Sequence, residues 1–148
     1  MPERQGGRDA RELVRSRAQG WCEYCRSQER FATESFSIEH IVSLRAGGED
    51  RLENLALACQ GCNNHKYIKT EGLDPVTAAA VPLFHPRLQR WRDHFIWSHD
   101  FKRILGLTPT GRATVEALRL NRAGLVNLRS VLFQVGEHPP REDDERNA

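Results

Sequence analysis

A chain of 148 residues is long enough for one compact domain with its own core and short for two. With 39% hydrophobic and 28% charged residues, a mean hydropathy of -0.63 and no apolar run of membrane-spanning length, it reads as a soluble globular protein and not as a membrane protein. The formal charge of +2 is unevenly spread: the last twelve residues, EHPPREDDERNA, hold five acids against two arginines, which leaves +5 on the rest.

The opening stretch MPERQGGRDARELVRSR has basic residues but no apolar segment behind them, which argues against a secretory signal and for a cytoplasmic location. Leu13, Val14 and Ala18 recur at helical spacing and Gly20 ends the pattern, so a helix is expected from about Asp9 to Ala18. Cys22 and Cys25 then form one C-x-x-C pair, and Cys59 and Cys62 form another, with no cysteine left over. In a reducing compartment such pairs are metal ligands rather than disulfides. Two of them fit the tetrahedral thiolate cage of a zinc ion, which would be structural because four thiolates leave no open position.

Between the pairs, Phe36 to Ile41 alternate apolar and polar residues as a half-buried strand does, Ala46 to Asp50 are turn punctuation around Gly47 and Gly48, and Leu55 to Leu57 make a second short strand. Gln60 to about Lys69 start at a knuckle and lack a breaker, so a short helix is expected through Asn63, His65 and Lys66. The order is strand, loop, strand, helix. From Pro75 the composition shifts to proline, aromatics and arginine. His94 to Trp97 and Arg103 to Leu107 read as a hairpin around Ser98, His99 and Asp100. Thr110 is the expected N-cap of an amphipathic helix carrying Val115 and Leu118, and a last helix is expected over Ala123 to Val135, with Leu125, Leu128, Leu132 and Val135 on one face. The division expected is a single domain over 1–148: a core at 8–70, an extension at 75–135 and a disordered tail at 136–148.

Between the cysteine pairs runs SIEHIVSLRAGGEDRLENLALACQGCNNHK. At Glu39-His40, Gly47-Gly48, Asn54-Leu55, Cys59/Cys62-Asn63 and Lys66, in that order and spacing, the sequence resembles the HNH endonuclease family, in its subgroup with two C-x-x-C knuckles. The resemblance covers about a third of the chain. It departs from the commonest pattern at Glu39, where aspartate is more usual, at Ser43, where many members have proline, and at Asn63, which stands for a histidine. The sequence LFHPR, W-x-x-HF-x-W and GLTPTGRAT of the C-terminal half also resembles an extension on small stand-alone bacterial members.

The resemblance implies an α+β fold, a zinc-stapled ββα-metal, treble-clef-like core with a C-terminal β-hairpin and two helices. It also implies metal-dependent hydrolysis of phosphodiester bonds in DNA that leaves a 5′ phosphate. His40 would be the general base and Asn54 would brace the loop that orients it. Glu39 and Asn63 would be oxygen ligands of a divalent ion, Mg²⁺ or Mn²⁺, and Lys66 would meet a phosphate. Strand geometry adds a constraint: adjacent residues point to opposite sides, so Glu39 and His40 reach one phosphate only through a distortion or the strand's end.

Nineteen arginines against three lysines suit bidentate phosphate contact and equally suit a GC-rich genome. Arg87, Arg90 and Arg92 are candidates for a DNA groove, and His65 is a candidate phosphate contact or a surface residue. Trp91, Phe95 and Trp97 are expected in the core, and no organic cofactor is expected. The competing reading is a noncatalytic zinc-knuckle module that binds nucleic acid. It has no need of the set Glu39, His40, Asn54 and Asn63.

Overall fold

The computed structural model describes residues 8–141. Helix α1 (Arg8–Arg17) buries Ala10 and Val14, and the chain then turns through Trp21 into the first knuckle. Strands β1 (Ser37–His40) and β2 (Leu55–Ala58) pair antiparallel, with Ser37 opposite Ala58 and His40 opposite Leu55. All four residues of β2 are buried, with β1 along one edge, α1 packed against it and its side chains inside the core cluster that both halves of the chain share. Helix α2 (Gln60–Lys66) follows directly, its first turn capped by the Cys59 sulfur, which accepts from Cys62 N at 3.4 Å. It stops at Tyr67, which takes a left-handed φ of 52°, so the helix is one short turn less than the sequence suggests.

A second small antiparallel sheet, β3 (Glu71–Leu73) with β4 (Ala80–Pro82), has no counterpart in the sequence pattern. Between its strands Asp74 accepts from Val76 N, from the Thr77 hydroxyl and from both arms of Arg112, which pins the turn onto the next helix. After a single helical turn, α3 (Trp91–His94), the expected hairpin forms from β5 (Phe95–Trp97) and β6 (Ile104–Gly106), with Phe95 opposite Gly106. Helix α4 (Pro109–Ala117) is capped by Thr108, whose hydroxyl accepts from Gly111 N at 3.0 Å. Thr110, the expected cap, lies inside the first turn, because Pro109 has the fixed φ of a first helical residue.

Helix α5 (Ala123–Gln134) is the last regular element among the described residues. Its inward stripe is Leu125 and Arg129, while Val135, expected on that face, is exposed. Of the segment from 136 onward, residues 136–141 are described: His138 is buried edge-on against Trp97, and Glu137 receives Gln28 and Arg30. Residues 142–148 lie outside the described residues.

One cluster of buried side chains runs through both halves, from Val14, Tyr24 and Leu57 to Phe84, Phe95, Ile104 and Leu120. Aromatic contacts carry it across: Tyr24 meets Phe84 edge-on at 6.4 Å, Phe84 meets Phe95 edge-on at 5.2 Å, and Trp91 meets Phe95 at a tilt at 5.0 Å. Each such pair adds about 1 kcal/mol beyond simple burial. The Trp91 indole also donates to Tyr24 O at 2.9 Å, so the extension reads the backbone of the first knuckle. No helix among the described residues is long and apolar enough to cross a membrane.

Candidate active site and metal centre

The two cysteine pairs are brought together by β2. On its free edge Glu23 N donates to Leu57 O at 2.9 Å and Leu57 N donates back to the Glu23 carboxylate at 2.9 Å. This fastens the first knuckle beside the end of the strand from which the second knuckle grows. The sulfurs of Cys22, Cys25, Cys59 and Cys62 consequently lie within 4.8 Å of one another, all four residues buried and none in a disulfide. As thiols they are poorly matched: hydrogen bonds from its three neighbours pull Cys59 down while burial pushes Cys22 up. A soft dication that takes all four as thiolates relieves this, and the donor set fits zinc. Arg122 points its guanidinium at Cys59 and Cys62.

Alternation along β1 sends Glu39 inward and His40 outward, as strand geometry requires. Glu39 is 5% exposed, accepts from the Tyr24 hydroxyl and pairs with Lys66 Nζ at 3.4 Å. Burial raises its pKa above the usual carboxylate value, against the opposing pull of Lys66 and Tyr24. Tyr24 is pushed well above its ordinary value, first by burial and then by the Glu39 charge. Lys66 is itself 2% exposed and donates to Ile41 O at 2.6 Å. The lysine expected at a phosphate is therefore spent inside the protein, tying α2 to the end of β1. Nor does Glu39 stand as an open ligand for a hard cation: an ion there has to displace the Lys66 ammonium, and the only group of three or more acidic, histidine or cysteine ligands among the described residues is the cysteine quartet.

His40 closes β1 with its ring half exposed, and its Nε2 lies 3.0 Å from Asp50 Oδ1. With Nε2–H donated to that carboxylate, Nδ1 carries the free lone pair. Asp50 is held in reach by Asn54. The Asn54 amide accepts from Val42 N at 2.9 Å and donates to Val42 O at 2.9 Å and to Glu49 O at 2.8 Å, clamping both ends of the 42–49 loop. Gly48 lets the loop close, since a Cβ there would come within 1.9 Å of Val42 O.

Asn63 is half exposed on the first turn of α2, and its side chain makes no hydrogen bond to a described residue. His65 lies on the same helix; burial and then Arg122, Arg119 and Lys69 lower its pKa. The three arginines expected in a DNA groove part company. Arg87 is mostly buried against Glu23, its pKa pulled down to about 10 by burial and by nearby Arg17. Arg90 and Arg92 are exposed and line a cleft of about 310 Å³ with Arg26 and Arg87. Trp91 and Phe95 are buried and Trp97 half buried, as expected of core aromatics. Tyr24, Asp50 and Arg122 carried no signal in the sequence: each acts across 10 or more residues on a partner that only the fold supplies.

No curated protein and no solved structure matches the chain. Residues 22–69, which hold both cysteine pairs, Glu39, His40, Asn54 and Asn63, match the family model described as HNH endonuclease.

Proposed function

We propose that the protein is an endonuclease that hydrolyses phosphodiester bonds in DNA, with His40 as general base. The observation that carries this reading is the His40–Asp50 pair at the open end of β1, set on a loop that Asn54 clamps at three points. Asp50 holds the imidazole by Nε2, so Nδ1 is free to take a proton from water as the oxygen attacks phosphorus. A neighbouring carboxylate also steadies the imidazolium that results. The P–O3′ bond then breaks, leaving a 5′ phosphate, and O3′ takes a proton from solvent to become a 3′ hydroxyl.

Asn63 presents an unengaged amide on α2, and Arg90 and Arg92 on the cleft supply positive charge for the phosphate backbone. The cysteine quartet holds Zn²⁺, and β1, β2 and α2 are the ββα unit built on it, in the treble-clef manner. The family match supports dependence on Mg²⁺ or Mn²⁺, for which Asn63 is the motif's accessible oxygen donor, while Glu39, the other ligand that the motif implies, is held by Lys66 and Tyr24.

The test is incubation of the full chain with supercoiled plasmid, single-stranded DNA, duplex DNA and RNA across a panel of divalent ions, with the ends of any product analysed. DNA products bearing 5′ phosphates are expected. Binding without cleavage of any substrate under any ion would give the assignment to the zinc-knuckle binding module.

A further inference from the structure

We propose that Arg122 and Arg129, from the C-terminal extension, form the outer shell of the cysteine metal centre, with Arg122 donating directly to the thiolates of Cys59 and Cys62. Both arginines lie outside the matched segment 22–69.

The geometry at Arg122 is that of a fork closing on two sulfurs. Its Nη2 lies 3.3 Å from Cys59 Sγ and 3.8 Å from Cys62 Sγ, and its Nη1 lies 3.7 Å from Cys62 Sγ. Nη1 also donates to Leu118 O at 3.2 Å and Arg119 O at 3.1 Å, carbonyls at the end of α4, which anchors the guanidinium. Arg122 is also the residue from which α5 starts, so the junction of the two helices is aimed at the metal centre. The second knuckle makes room for it. A Cβ at Gly61 would sit 2.3 Å from Arg122 Nη2 and 2.7 Å from its Cζ, so the guanidinium lies where any other residue would put a side chain.

Arg129 is 4% exposed, donating to Leu120 O at 2.8 Å, Lys102 O at 3.0 Å and Cys25 O at 3.4 Å, with Trp97 under its plane at 5.2 Å. Among the described residues neither arginine is paired with a carboxylate. A buried cation without a counter-charge is costly. A divalent ion bound by four thiolates carries a net charge of minus two, and two arginines against that cluster balance it. The charges explain each other. Hydrogen bonds to metal-bound sulfur are also the means by which surroundings tune such centres.

The experiment uses the full chain loaded with Zn²⁺ or Co²⁺. Zinc release to a chromogenic chelator is timed, and the sulfur-to-cobalt charge-transfer band is recorded, for wild type, Arg122→Met, Arg122→Lys and Gly61→Ala. Arg122→Met is expected to lose zinc roughly tenfold faster and to shift the band, with Arg122→Lys recovering part of both. Gly61→Ala separates this from a loss of folding. Alanine favours the helix over glycine, and the group it displaces is the mobile end of a side chain, so the fold persists while Arg122 is expelled. It is expected to reproduce the faster release and the shifted band. Zinc release at the wild-type rate and an unchanged band in both Arg122→Met and Gly61→Ala would overturn the proposal, as would a wild-type chain that takes up neither ion.

Discussion

Asn54→Ala removes the clamp beneath the loop that presents Asp50 to His40. Three hydrogen bonds are lost at once, two to Val42 and one to Glu49. At about 1 kcal/mol net for each bond, the full loss is about 3 kcal/mol, reduced toward 2 where water reaches the freed Val42 groups. A shift of the urea midpoint at unchanged slope measures it. The loop links the Asn54 side chain to the His40–Asp50 pair, so kcat is expected to fall by an order of magnitude or more with little change in KM. Asn54→Asp keeps the acceptor for Val42 N but loses both donors, and is expected to behave like alanine in rate. A variant within about 0.5 kcal/mol of wild type that cuts at the wild-type rate would show that the loop holds itself.

Glu39→Ala leaves the Lys66 ammonium buried without its partner and is expected to cost about 3–5 kcal/mol in urea unfolding, whereas replacing both Glu39 and Lys66 by methionine restores most of it; equal losses in the single and double variants would contradict this. Asp74 is held well below the usual carboxylate range by Arg112, so its contribution is present above about pH 4, where the unfolded carboxyl is ionised, and fades as pH falls toward the folded value. Asp74→Asn should therefore be less stable than wild type at pH 7, and the gap should narrow in unfolding curves taken below pH 4. Arg87→Met is expected to lower stability without changing the salt dependence of DNA binding, while Arg90→Ala with Arg92→Ala flattens that dependence, read from affinity against salt concentration. A flattened slope in Arg87→Met would mean that its pairing with Glu23 opens on DNA.

Where residues depend on neighbours in sequence, the chain was legible. Alternation from Phe36 to Ile41 located β1 and implied that Glu39 and His40 face apart, and alternation over 94–97 and 103–107 located the two strands of the later hairpin. The paired cysteines announced the quartet because a C-x-x-C carries its own geometry. The sheet of β3 and β4 escaped notice because strands of three residues containing Gly72 and Pro82 show no alternation. Pro109 marked the start of α4, and Thr108, not Thr110, was its cap. Lys66 one turn after Asn63 reads as a surface residue on the helix alone; its burial is decided by the Glu39 charge that β1 brings across. Likewise Arg87 turns inward because Glu23, 64 residues earlier, is fixed on the edge of β2.

Cleavage of supercoiled plasmid by His40→Ala beside wild type, with DNA binding and unfolding measured on the same preparations, tests the central claim most directly. His40→Ala is expected to bind DNA and fold as wild type does while its cleavage rate falls by at least about a hundredfold, the contribution of a positioned general base. Cleavage by His40→Ala at the wild-type rate would contradict the assignment of the His40–Asp50 pair as the catalytic base.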